Sequence, residues 1–114
     1  MLADQLDYVI GVDPHRDAHA LAVVEVRSGA VVFEASTLAD AEGYVCLLRL
    51  ADQHAPGRRA FAVEGTGSFG AGLTRFLRSS NKNELRGDWF ATVAYVRTIS
   101  RFVRWSGLEK ALRC

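Results

Sequence analysis

Hydrophobic and polar positions divide the chain into short patterned runs. Tyr8-Val9-Ile10-Gly11-Val12-Asp13 is an apolar run that ends in one carboxylate and stops at Pro14. It reads as a buried strand that carries Asp13 to the rim of a sheet. Pro14-His15-Arg16-Asp17 reads as a tight turn. Residues 18–27 then alternate, with Ala20, Ala22, Val24 and Val26 on one side and Leu21, Val23, Glu25 and Arg27 on the other. Ser28-Gly29 is a two-residue hairpin signal, and residues 30–36 return as a third strand, completing an antiparallel meander.

A change of period follows. Thr37 is the expected N-cap of a helix with Asp40 at its third position. Ala41, Tyr44, Val45, Leu48 and Ala51 then keep helical spacing until the break at Pro56-Gly57. Ala60-Phe61-Ala62-Val63-Glu64 is a second apolar run that ends in an acid, and Gly65 stops it. With a helix between, this fourth strand can lie parallel to the first. Phe69, Leu73, Phe76 and Leu77 support a second helix. Ser79-Ser80-Asn81-Lys82-Asn83 reads as a polar break, and no fifth strand is evident after it. Residues 89–104 read instead as a basic amphipathic helix, with Trp89, Val93, Val96 and Val103 at helical intervals and Arg97, Arg101 and Arg104 grouped on another face.

The order strand-strand-strand-helix-strand-helix is the opening of the α/β ribonuclease H-like fold, in which the first and fourth strands are central neighbours. By that analogy the chain is a partial ribonuclease H-like domain over residues 1–80, followed by a divergent, helical basic tail over 81–114.

Composition narrows this picture. With 114 residues there is room for one core, and 49% hydrophobic with 24% charged residues is ordinary for a globular chain. Apolar runs fall well short of the roughly 18 residues of a membrane span, and the N-terminus lacks the basic start and apolar middle of a signal peptide. A cytoplasmic location without membrane contact is expected. Cys46 fits an apolar helical pattern as a small core residue and Cys114 is the last residue, so the two are not expected to form a disulfide framework. Through Asn81 there are 7 Lys/Arg against 10 Asp/Glu, and from Lys82 onward 7 against 3. A basic tail on an acidic body hints at a polyanionic partner, although a solvated face is the commoner meaning.

Chemistry gathers at the two acidic strand ends. Neighbouring strands lie about 5 Å apart, so Asp13 and Glu64 could reach one divalent ion together. Mg²⁺ takes one or two carboxylates and fills its shell with waters and phosphate oxygens. Paired ions about 4 Å apart polarise both oxygens of a phosphodiester. The bland alternative makes Asp13 a turn residue before Pro14 and Glu64 a solvated strand end. His15 and Arg16 are candidate phosphate neighbours of Asp13, or plain surface residues. Gly65-Thr66-Gly67-Ser68-Phe69-Gly70 satisfies G-x-G-x-x-G between a strand and a helix, but a dinucleotide site also needs a following strand ending in an acid, and the stretch around Glu84 is not strand-like. Arg97, Arg101 and Arg104, with Trp89, Phe90, Tyr95, Phe102 and Trp105, could contact nucleic acid by stacking and charge, or pack on the nearest core.

Ile10-Gly11-Val12-Asp13-Pro14-His15-Arg16-Asp17-Ala18-His19, followed by Ala62-Val63-Glu64-Gly65-Thr66-Gly67-Ser68-Phe69-Gly70-Ala71-Gly72-Leu73, resembles the DEDD transposases of the IS-one-ten insertion-sequence family. Gly43-Tyr44 and Leu47-Leu48 fit the same pattern, and the match covers roughly residues 8–79. The resemblance implies a RuvC-like catalytic domain whose four acids bind Mg²⁺ and support DNA strand cleavage and exchange in transposition. Asp13 corresponds to the family's first acid and Glu64 to its second. It implies DNA as partner and brings an element-encoded guide RNA and full-length transposase subunits into the expected set, in a bacterial cell and at the nucleoid when DNA-bound. The family's two later aspartates, spaced D-x-x-D, are not found; Asp88 is the only aspartate after Asn81. The family's serine-bearing domain is not found either.

The expectation from sequence is therefore a truncated or frameshifted transposase N-terminal fragment, recognisably half of an active site and inactive alone. A non-enzymatic nucleic-acid- or partner-binding fragment acting through the basic tail is the alternative, and a dinucleotide-binding domain a weaker one.

Overall fold

The computed structural model describes residues 6–64, 68–84, 89–93 and 114. Five strands form one mixed sheet: β1 (Tyr8–Pro14), β2 (Ala18–Glu25), β3 (Val31–Leu38), β4 (Arg59–Glu64) and β5 (Trp89–Val93). Helix α1 (Ala41–His54) joins β3 to β4, and a 3₁₀ turn (Ser68–Gly70) leads into α2 (Ala71–Glu84) before β5. The strand order is β3-β2-β1-β4-β5. β2 is antiparallel to both its neighbours, whereas β4 is parallel to β1 and to β5.

Side chains in the same register share a face, and this is what builds the core. Phe33, Val23, Ile10 and Phe61 form one rung across β3, β2, β1 and β4. Ala35, Leu21, Val12 and Val63 form the next, and Thr37, His19 and Pro14 the rung after that. Leu47, Leu48 and Ala51 of α1 and Leu73 and Leu77 of α2 pack with these rungs in one buried cluster, so both helices cover the same face. The alternate positions Gly11, Ala20, Ala22, Ala60 and Ala62 make a smooth second face, and Asp13 belongs to its row.

Several expectations are corrected. The β2–β3 connection is longer than a two-residue hairpin: Glu25 N–H donates to the Ala30 carbonyl at 2.9 Å, and Gly29, with φ 72°, supplies the left-handed residue of the turn. Thr37 is the seventh residue of β3, not a cap. Asp40 caps α1 by accepting from Gly43 N–H at 2.8 Å, because its carboxylate reaches the third helical amide that the Thr37 hydroxyl cannot. The buried face of α1 is accordingly rotated, with Gly43, Cys46, Leu47, Leu48, Leu50 and Ala51 inward and Ala41 and Val45 exposed. Phe69 is exposed within the 3₁₀ turn, while Leu73 and Leu77 are core.

The expected polar break does not stop α2, which runs to Glu84; no Gly or Pro interrupts 79–83, and polar residues suit a helix that has already placed its core anchors. Residues 89–93 are a strand rather than the start of a helix. Trp89, Phe90, Thr92 and Val93 are good strand formers, and a run this short fits either period until a neighbouring edge decides. The two cysteines are also joined: Cys46 and Cys114 form a disulfide, with Cα atoms 5.2 Å apart. Arg97, Arg101, Arg104, Tyr95, Phe102 and Trp105 lie outside the described residues. Among the described residues no helix is long and apolar enough to cross a membrane.

Candidate functional site

The C-terminal ends of β1 and β4 meet because their beginnings are clamped. Asp7 N–H and Tyr8 N–H both donate to the Arg58 carbonyl, at 2.7 and 3.1 Å, and Arg58 N–H returns a bond to Asp7 Oδ2 at 2.9 Å. Gly57 makes this clamp possible: its φ is 119°, and a Cβ there would stand 2.6 Å from Asp7 Oδ2. One residue further, Arg59 is buried with its guanidinium 2.8 Å from Asp52 Oδ1 on α1 and 5.4 Å from the centre of the Phe61 ring. β4 is thus pinned to β1 and to α1 at its first residue. The parallel register then runs without interruption from Tyr8–Arg59 to Val12–Val63. Asp13 and Glu64 are the next residue on each strand.

Asp13 is 24% exposed, and His15 Nε2 lies 3.1 Å from its Oδ2. The turn that allows this is closed by His15 N–H donating to the Ala18 carbonyl at 3.0 Å, just after Pro14, which has no N–H of its own to donate. His15 is therefore beside Asp13. Arg16 is not; its guanidinium is 3.5 Å from Asp17 and both side chains are strongly exposed, a pairing worth little in water. Glu64 is fixed here as a backbone position only. Gly65, Thr66 and Gly67 lie outside the described residues. Among the described residues, no group of three or more His, Cys, Asp or Glu side chains converges on a common point.

β4, α2 and β5 make a parallel strand–helix–strand unit, which partly meets the context of a dinucleotide site. The strand absent from the sequence reading is present, yet its residues Trp89-Phe90-Ala91-Thr92-Val93 include no acid to hold a ribose.

Behind Asp13, on the helix-covered face, sits a polar group that the sequence did not single out as functional. His19 is fully buried, with Pro14 beside it on β1 and Thr37 on β3. Burial holds its imidazole below the ordinary range, and His15 adds to this; the Ala18 backbone and Asp13 pull the other way. The Ala18 backbone favours the charged form without reaching hydrogen-bonding geometry with either ring nitrogen. The His19 ring lies parallel to that of Tyr44 on α1, at 6.0 Å between centres, and Tyr44 meets Phe76 of α2 at 5.8 Å. Asp7 and Arg58 were likewise invisible as a pair, because 51 residues separate them and only the fold joins them.

No protein-family model matches the chain, and no curated protein sequence matches it.

Proposed function

We propose that this chain is the N-terminal, ribonuclease H-like part of a DEDD-type transposase, in which Asp13 and Glu64 begin a Mg²⁺ site for DNA strand cleavage and exchange. The observation that carries the reading is the parallel β1–β4 pairing, which leaves the two acids one step past Val12–Val63 on adjacent strands. A sheet ordered β3-β2-β1-β4-β5, with β2 alone running the other way, supports it.

Two hard carboxylates on neighbouring strand ends suit Mg²⁺, which keeps its waters and takes further ligands from phosphate oxygens. Bound there, the ion supplies charge stabilisation at the phosphodiester. The chain's own residues provide the rest. Asp13 presents a partly exposed carboxylate, and His15, at 3.1 Å, orients its Oδ2. Arg16, exposed on the turn that follows, carries a cation that its weak pairing with Asp17 leaves free to meet a phosphate. DNA is the partner this arrangement addresses, with a guide RNA and full-length transposase subunits as its companions in the complete system. Because D-x-x-D does not occur after Glu64, the 114-residue chain alone holds the ion weakly and does not cleave DNA.

The reading is tested with Mn²⁺, a paramagnetic stand-in for Mg²⁺, by following backbone amide signals. Broadening is expected first at Asp13 and Glu64 and is expected to disappear in Asp13→Asn and in Glu64→Gln. Uniform broadening, or broadening that survives both substitutions, refutes the site. Robust Mg²⁺-dependent nicking by the chain alone would refute the claim of inactivity.

A further inference from the structure

We propose that His19 and Thr37 bind one internal water molecule, held between β2, β3 and α1 at the end of the sheet that carries Asp13. Both side chains have no measurable exposure. Among the described residues, neither His19 ring nitrogen nor the Thr37 hydroxyl oxygen has a hydrogen-bond partner. Three orphaned polar atoms in one place are unusual, since buried polar groups are nearly always satisfied by protein or by ordered water.

The two side chains are neighbours by construction. His19 and Thr37 are directly opposed in the antiparallel register, so their side chains stand on the same face of the sheet. A neutral imidazole offers one donor and one acceptor, and a hydroxyl offers a donor and two lone pairs. One water between them can accept from one group and donate to the other, which engages the Thr37 hydroxyl and one of the two ring nitrogens.

On α1 the Tyr44 ring lies parallel to the imidazole, at 6.0 Å between centres. Around it the rung ends in Pro14, which lacks an N–H to contribute, and the next rung on this side brings only Ala35 and Leu21. Among the described residues no side chain meets these atoms, and water is small enough to be enclosed beside them. The site is independent of the metal reading, since it uses neither Asp13 nor Glu64.

Thr37→Val and Thr37→Ser decide the matter together with a high-resolution crystal structure of the unaltered chain. Valine keeps the shape of threonine and deletes the hydroxyl. If a water bridges the pair, Thr37→Val removes one of its anchors and lowers Tm by several degrees, while Thr37→Ser retains most of the stability. If the hydroxyl is simply orphaned, Thr37→Val leaves Tm unchanged or raises it, and the proposal is wrong. The crystal structure is expected to show a water within hydrogen-bonding distance of Thr37 Oγ1 and one His19 ring nitrogen. A direct His19–Thr37 bond, or another side chain in that place, also overturns it, and this readout stands even where the valine variant fails to fold.

Discussion

Replacing Asp52 by Ala removes the acid that receives the buried Arg59 guanidinium. The contact is 2.8 Å long, and the Arg59 side chain is only 5% exposed, whereas that of Asp52 is 39% exposed. Breaking a fully buried pair costs about 3–5 kcal/mol and losing a hydrogen bond to a charged group about 1.5–3 kcal/mol. The half-open carboxylate puts this case at the lower end, about 2 kcal/mol. Arg59 keeps a contact to the Ala55 carbonyl at 3.4 Å and the Phe61 ring, which limits the loss further. With an unfolding entropy of about 2.1 cal/mol/K per residue, 2 kcal/mol corresponds to a fall in Tm of about 8 °C for a domain of this size. Differential scanning calorimetry on Asp52→Ala, Arg59→Met and the double variant gives both the single losses and the coupling between the two residues. Arg59 opens β4 opposite Tyr8, so the same pair helps set the register that brings Glu64 level with Asp13. A coupling near zero, or a Tm within about 2 °C of the parent in Asp52→Ala, would refute the assignment of this contact as the anchor of β4.

Three further outcomes are expected. Gly43→Ala should destabilise by about 1–3 kcal/mol in urea unfolding, toward the upper end, because its Cβ would run into the Leu38 backbone carbonyl and the capped start of α1 would have to move; an unchanged midpoint contradicts that packing. Stability should fall as pH drops below about 6.5, because the unfolded chain takes up a proton that buried His19 resists; the contribution is present above that pH and lost below it, with a slope of at most about 1.4 kcal/mol per pH unit for one proton. His19→Phe should flatten this slope, and an identical pH profile in the variant would rule His19 out. Cys114→Ser, or reduction of the parent, should lower Tm through loss of a cross-link spanning 68 residues, worth about 4 kcal/mol in the loop-entropy account; equal Tm in oxidised and reduced protein, with the bond verified by mass, would count against it.

Much of the sheet was legible from local pattern. Alternation and run length located β1, β2, β3 and β4, and 3.6-residue spacing located both helices, since each burial pattern has its own period. Details decided by a single side chain against its surroundings were less legible. Thr37 and Asp40 both have capping chemistry, and only the length of β3 shows which one meets a free helical amide. Val45 fitted an apolar stripe as well as Leu47 did, until the angle of α1 on the sheet chose between them. Residues 89–93 satisfied helix and strand spacing alike, and pairing with β4 made them a strand.

The sequence by itself determined that two apolar strands end in acids, Asp13 and Glu64, and that a meander precedes the first helix. These follow from order and period along the chain, which are local quantities. The tertiary structure alone decided that the Asp7–Arg58 clamp and the Arg59–Asp52 pair hold β1 and β4 in register, that His19 meets Thr37, and that Cys46 meets Cys114. Each of these joins residues of different elements or segments, and most are far apart in sequence. No local propensity encodes such a contact, because it forms only when the whole sheet and its helices are packed together.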